Sequence, residues 1–190
     1  MRKVIIIDDR VERQKQYLSD KDLQSLSAID GVVLCYQICM ELDSYNDYDL
    51  LAFHRSALVE RNILSAVVDY CKKNGKYLVT FSGGINNNNF YTDHYIELNS
   101  KTFYRIDRLK AFLQDFCQGD GDVHILRLVY GDNWLMPFIV KYNHLRWQYG
   151  DAMPQKVADQ FYDLEDLIGP ELTDDPHKLQ QKLEILKNLS

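Results

Sequence analysis

The sequence predicts a doubly wound α/β domain over residues 1–119, with a five-stranded parallel sheet, followed by an all-helical region over residues 120–190. Three observations carry this expectation. A short β-branched run, Val4 to Ile7, is apolar on both faces, as an interior parallel strand must be, and further short strand-like runs follow it. Stretches of helical spacing about 10–15 residues long separate them, which is the rhythm of βαβ units. After Gly119 the runs give way to helical patterns alone.

The elements follow in order. Val4-Ile5-Ile6-Ile7 is the first strand, ended by Asp8-Asp9. Residues 11–26 place Val11, Tyr17, Leu18, Leu23 and Leu26 among charges, the pattern of one surface helix. Gly31 introduces a second strand at 32–36, and Leu50 to Phe53 a third that closes on His54. A helix over 59–73 carries Ile63, Leu64, Val67, Val68 and Cys71 on one face and stops at Asn74-Gly75. Residues 77–81 form a fourth strand turned by Ser82-Gly83-Gly84, and 95–98 a fifth. Leu109, Phe112, Leu113 and Phe116 then share a helix face. Beyond it, helices are expected at 123–130, 135–149 and 157–168. A last one follows Asp175-Pro176, a capping acid followed by a proline that a first helical turn accepts.

Composition limits what such a chain can do. Of 190 residues, 46% are hydrophobic and 26% charged, enough apolar material for one sizeable core with an appendage. No run approaches the roughly 20 apolar residues of a membrane span, and no targeting segment is visible, so the cytoplasm is the expected compartment. The net charge is −6, and the helical region holds most of it, with 7 basic against 12 acidic residues. That sign repels phosphate backbones, and Lys72, Lys73 and Lys76 make too small a basic patch to offset it, so no direct nucleic-acid binding is expected. Cys35, Cys39, Cys71 and Cys117 stand apart among apolar neighbours and read as free thiols.

In an open α/β sheet, ligands gather beyond the carboxyl ends of the strands. The residues there are Asp8 and Asp9, His54, Ser82, and the stretch 99–101. Asp8 and Asp9 suit a divalent cation, or else merely cap the first helix. His54 reads as a third metal ligand beside them or as a hydrogen-bonded filler.

The set resembles the receiver domain of bacterial response regulators over about the first 110 residues. Val4 to Asp9 is similar to that family's opening strand and its metal-binding acid pair. Tyr48 to Phe53 resembles the strand that delivers the phosphoacceptor aspartate, and Leu78 to Ser82 the strand that ends in the switch hydroxyl. The resemblance implies Mg2+ at Asp8 and Asp9, a switch role for Ser82, and Lys101 as the equivalent of the family's lysine. It also implies a decisive departure, because His54 occupies the phosphoacceptor position. An imidazole cannot form an acyl phosphate, so the domain is expected to be a degenerate receiver.

The expected function is therefore a non-catalytic signalling or protein-interaction module that acts through its helical C-terminal region on a protein partner. Leu179, Leu183 and Leu186 form an apolar stripe that docks on the chain's own α/β domain or closes a homodimer. The rival expectation is a hydrolase, metal-dependent or caspase-like, using His54 and Ser82. It lacks a visible third member, and a serine stands where a thiolate belongs.

Overall fold

The structure, a computed structural model, describes residues 1–92, 94–119, 123–134 and 155. The sheet begins where expected, with β1 (Val4–Ile7) buried along its whole length. Two short helices follow, α1 (Val11–Gln14) and α2 (Asp20–Ser27), and then β2 (Val32–Cys35). The single helix expected over 11–26 is thus divided. Ser19 and Asp22 cap α2 reciprocally, each side chain bonding the other's backbone amide, and this starts a new helix in the middle of the pattern.

A 3-10 turn at Leu42–Tyr45 leads to β3 (Leu50–His54). The helix expected over 59–73 is also two pieces, α3 (Arg55–Val59) and α4 (Leu64–Lys73). Asn62 sits between them at φ 53°, a left-handed conformation that ends a right-handed helix. Then come β4 (Tyr77–Ser82), β5 (Asn89–Thr92), β6 (Tyr95–Asn99), α5 (Ser100–Phe103), α6 (Ile106–Gln118) and α7 (Arg127–Tyr130).

The strands lie in the order β2-β1-β3-β4-β6-β5. The first five in that row are parallel, and β5 is an added edge strand antiparallel to β6. The expected five-stranded parallel sheet is therefore six-stranded and mixed. The asparagine-rich loop supplies the extra strand: Asn88 Oδ1 accepts from Asn99 N at 2.9 Å, and Asn89 Nδ2 donates to Glu97 Oε2 at 2.9 Å. Among the described residues, this connection from β4 to β6 contains no helix.

Alternation along the strands divides the core between two faces. Val4, Ile6, Leu50, Ala52, Val79, Phe81, Ile96 and Leu98 pack under α2 and α6. Val123, Ile125, Leu126, Leu128 and Val129 join that same cluster, so it extends beyond residue 119. Only 127–130 of the helix expected at 123–130 is α-helical. On the other face, Ile5, Ile7, Leu51, Phe53 and Leu78 pack against Leu58, Val67 and Cys71 of α3 and α4. Both edges are short, and Val33 on β2 keeps 40% of its surface exposed. The helices expected at 135–149, 157–168 and after Asp175 lie outside the described residues.

Gly31 shows how tightly the turn into β2 is built. Its φ is +89°, and a Cβ there would stand 2.6 Å from the carbonyl oxygen of Arg2. Gly75 has φ +62° but nothing within 4 Å of such a Cβ. Gly31→Ala is expected to cost at least about 2 kcal/mol and Gly75→Ala only about 1 kcal/mol, since the latter meets backbone strain alone. Urea midpoints at unchanged slope measure the difference.

Candidate functional site

The carboxyl end of β1 delivers Asp8 and Asp9, and Asp8 is completely buried. A buried carboxylate is tolerated only when charge and hydrogen bonds replace its water. Arg13, one turn along in α1, supplies both. Its Nε donates to Asp8 Oδ1 at 3.0 Å, and its Nη2 bridges Asp8 Oδ1 and Asp9 Oδ1. The Arg10 backbone amide adds a third donor to Asp8 Oδ1 at 3.3 Å. The other oxygen, Oδ2, accepts from the Tyr104 hydroxyl at 2.9 Å, a contact made across 96 residues of sequence. Arg61 Nη1 lies 4.0 Å from Asp9 Oδ2.

The same guanidinium reaches the end of β3. Its Nη1 donates to Ser56 Oγ at 3.2 Å, and Ser56 Oγ lies 2.8 Å from His54 Nδ1. The Ser56 backbone amide also donates to Nδ1, at 3.3 Å, so His54 serves as the N-cap of α3. An Nδ1 that accepts an amide hydrogen is unprotonated. The Ser56 hydroxyl therefore donates to it, and the ring's hydrogen sits on Nε2. Nε2 is buried and has no hydrogen-bond partner among the described residues. The ring packs edge-on against Phe81 at 5.4 Å.

Burial, and then the nearby charge of Arg13, hold the His54 pKa below its ordinary value, with Asp8 and Asp9 opposing in part. Burial alone would lower Arg13, but its hydrogen bonds and charge pairing with Asp8 and Asp9 raise it above its usual value. Tyr104 is raised by burial and by the adjacent Asp8 charge. At neutral pH the site thus holds a cationic arginine, a neutral histidine and a neutral tyrosine.

The acid pair proposed for a cation therefore holds a guanidinium. Asp8 has both oxygens engaged, and His54 Nδ1 is committed to Ser56 rather than directed at the acids. Among the described residues, no group of three or more His, Cys, Asp or Glu is placed to hold a metal ion. As arranged, these residues do not fit Mg2+.

The other expected residues lie apart from this network. Ser82 Oγ accepts from the Gly84 amide at 3.3 Å, as a turn residue does, while His54 pairs with Ser56 instead. Lys101 is exposed on α5. Its backbone amide caps onto Asn99 Oδ1, and its ammonium makes no hydrogen bond or ion pair among the described residues. Three residues of the network went unnoticed in the sequence: Arg13, Ser56 and Tyr104. Arg13 stands four and five residues after the acids, a spacing that invites pairing across one helical turn. Ser56 stands two after His54, where a capped turn begins. Nothing local marks Tyr104.

Compared with protein-family models, curated proteins and solved structures, the chain matches none of them.

Two measurements test the clamp. Arg13→Met should cost about 3 kcal/mol by leaving buried Asp8 uncompensated, and adding Asp8→Asn should recover much of that loss, because removing both charges is far cheaper than removing one. Denaturant unfolding of the two single variants and the double variant closes the cycle. The second concerns pH. His54 is held neutral, so the stability it contributes is complete above about pH 6.5 and is lost as pH falls toward its depressed folded value. His54→Asn keeps a capping oxygen and removes the titration, so its unfolding free energy should fall less than the wild type's between about pH 7.5 and pH 5.

Proposed function

We propose that this chain is a non-catalytic protein-interaction module in a signalling system, built on a degenerate receiver-like scaffold, with the region beyond residue 119 providing the surface its partner reads. The strand order supports the flavodoxin-like form of that scaffold. Setting aside β5, it runs 2-1-3-4 and then the last parallel strand, the order of that doubly wound class. The observation that carries the reading is the Arg13 guanidinium, which lies between Asp8 and Asp9 and reaches Ser56 beside His54. In a working receiver the corresponding pocket needs an aspartate and an exchangeable divalent cation. Here an imidazole takes the one place and a covalently tethered cation the other.

Such a pocket has nothing to transfer and nothing to release. Its residues instead tie β1, α1, β3 and the segment after α5 into one arrangement. The module is then set permanently in one state, and regulation comes from where and when its partner is present. A partner makes more use of a fixed surface than of a mobile one, since less ordering is lost on binding.

Incubating the full chain with acetyl phosphate and magnesium tests the reading. Its intact mass should stay unchanged, and magnesium alone should leave the melting temperature where it was. An acid-labile gain of one phosphoryl group, or hydrolysis of ester or phosphoester substrates that disappears in Ser82→Ala, would sink the proposal.

A further inference from the structure

A parallel crossover usually lays a helix over the sheet it crosses. The connection from β4 to β6 lays down β5 at the edge instead, and among the described residues no helix stands beside α4 on that side. Between α4 and the β5–β6 hairpin the fold leaves a cavity of about 430 Å3. Its size falls in the range of roughly 300–1,000 Å3 that small-molecule sites occupy.

The lining is chiefly apolar. Val68 and Cys71 come from α4, Leu78 from β4 and Tyr95 from β6. Burial pushes the Cys71 thiol up to about 12, so it meets a ligand as an uncharged, soft wall. A fully polar ligand would lose its water here with few groups to replace it. Among its described lining residues the charged side chains have one sign: Lys72 and Lys76 are present and no carboxylate is. Lys76 Nζ is held in place by the carbonyls of Asn46 and Tyr48, at 2.8 and 2.7 Å. Lys72 is exposed and makes no hydrogen bond or ion pair among the described residues.

We propose that this cavity binds a small carboxylate with an apolar body, of the medium-chain fatty acid class, its chain against Val68, Leu78 and Tyr95 and its head group at Lys72. An apolar interior beneath a cationic rim selects for that division of character, because the chain leaves water while the carboxylate stays at the mouth and pairs with the ammonium. The site lies on the sheet face opposite Tyr104 and the Arg13 network, and it does not rest on the receiver-like reading.

Calorimetric titration of the full chain with decanoate and with decanol, both below their aggregation concentrations, tests the assignment. Decanoate should bind saturably at one site, with decanol at least tenfold weaker. Lys72→Glu, a change at an exposed position, should weaken decanoate at least tenfold and leave decanol unchanged. Val68→Trp, which fills the cavity, should remove binding of both. Absence of saturable decanoate binding by the wild type overturns the proposal. So does an affinity that Lys72→Glu does not move, or decanol binding as tightly as decanoate. A dimer that Val68→Trp dissociates, in a chain that binds no decanoate, would give this surface to a second copy and overturn it equally.

Discussion

Asp8 is wholly buried at the end of an all-apolar strand, and its negative charge has to be answered from within the protein. Much of the arrangement around it follows from that requirement. Arg13 answers the charge from the single turn of α1, which begins at Val11, two residues after Asp9. Tyr104 satisfies the second oxygen, which fixes the segment after α5 against β1. The part of the guanidinium not used by the acids reaches Ser56, and through it His54, so the ends of β1 and β3 are held together by side chains as well as by their backbone ladder. Arg13 thereby ties the segments after β1 and β3 together, and Asp8 brings in the segment after α5 through Tyr104.

A second buried charge lies on the opposite face. Glu97 on β6 pairs with Arg55 at 2.9 Å and accepts from Asn89 and Tyr91 on β5. Arg55 thus answers one oxygen of this carboxylate, and polar residues of the edge strand β5 answer the other. Arg55 follows His54 directly, so the two charged centres, one on each face, meet the chain at adjacent residues where β3 ends and α3 begins. The sheet's interior between them is apolar except for Thr80 on β4, which is fully buried.

The parts of this fold that were legible in the sequence are those decided by local pattern. Val4 to Ile7 and Leu50 to Phe53 are wholly apolar runs, Tyr77 to Phe81 is broken only by Thr80, and Leu109 to Phe116 has a single helical face. The divisions between α1 and α2 and between α3 and α4 were written in the sequence too, as a Ser19/Asp22 capping pair and an asparagine at a left-handed position, but hydrophobic periodicity runs over both. Strand β5 was hidden because Asn89, Tyr91 and Thr92 are exposed and an edge strand needs no apolar alternation. Asp8, Asp9 and His54 were found by where they stand in the sheet. Their partners were not, because Tyr104 meets Asp8 only once the chain has crossed the sheet.

The two edges of the sheet are protected unequally. On one side β5 closes the row with a polar, irregular strand whose register shifts between Phe90 and Thr92, a poor template for another backbone. On the other, β2 ends the row with Val32-Val33-Leu34-Cys35, free of lysine and proline, and with Val33 and Tyr36 exposed. Intermolecular strand pairing, when destabilisation permits it, is therefore directed to a single edge. Aggregates that retain this fold would grow from β2 in one direction, and a charge introduced at Val33 would act as a gatekeeper against them.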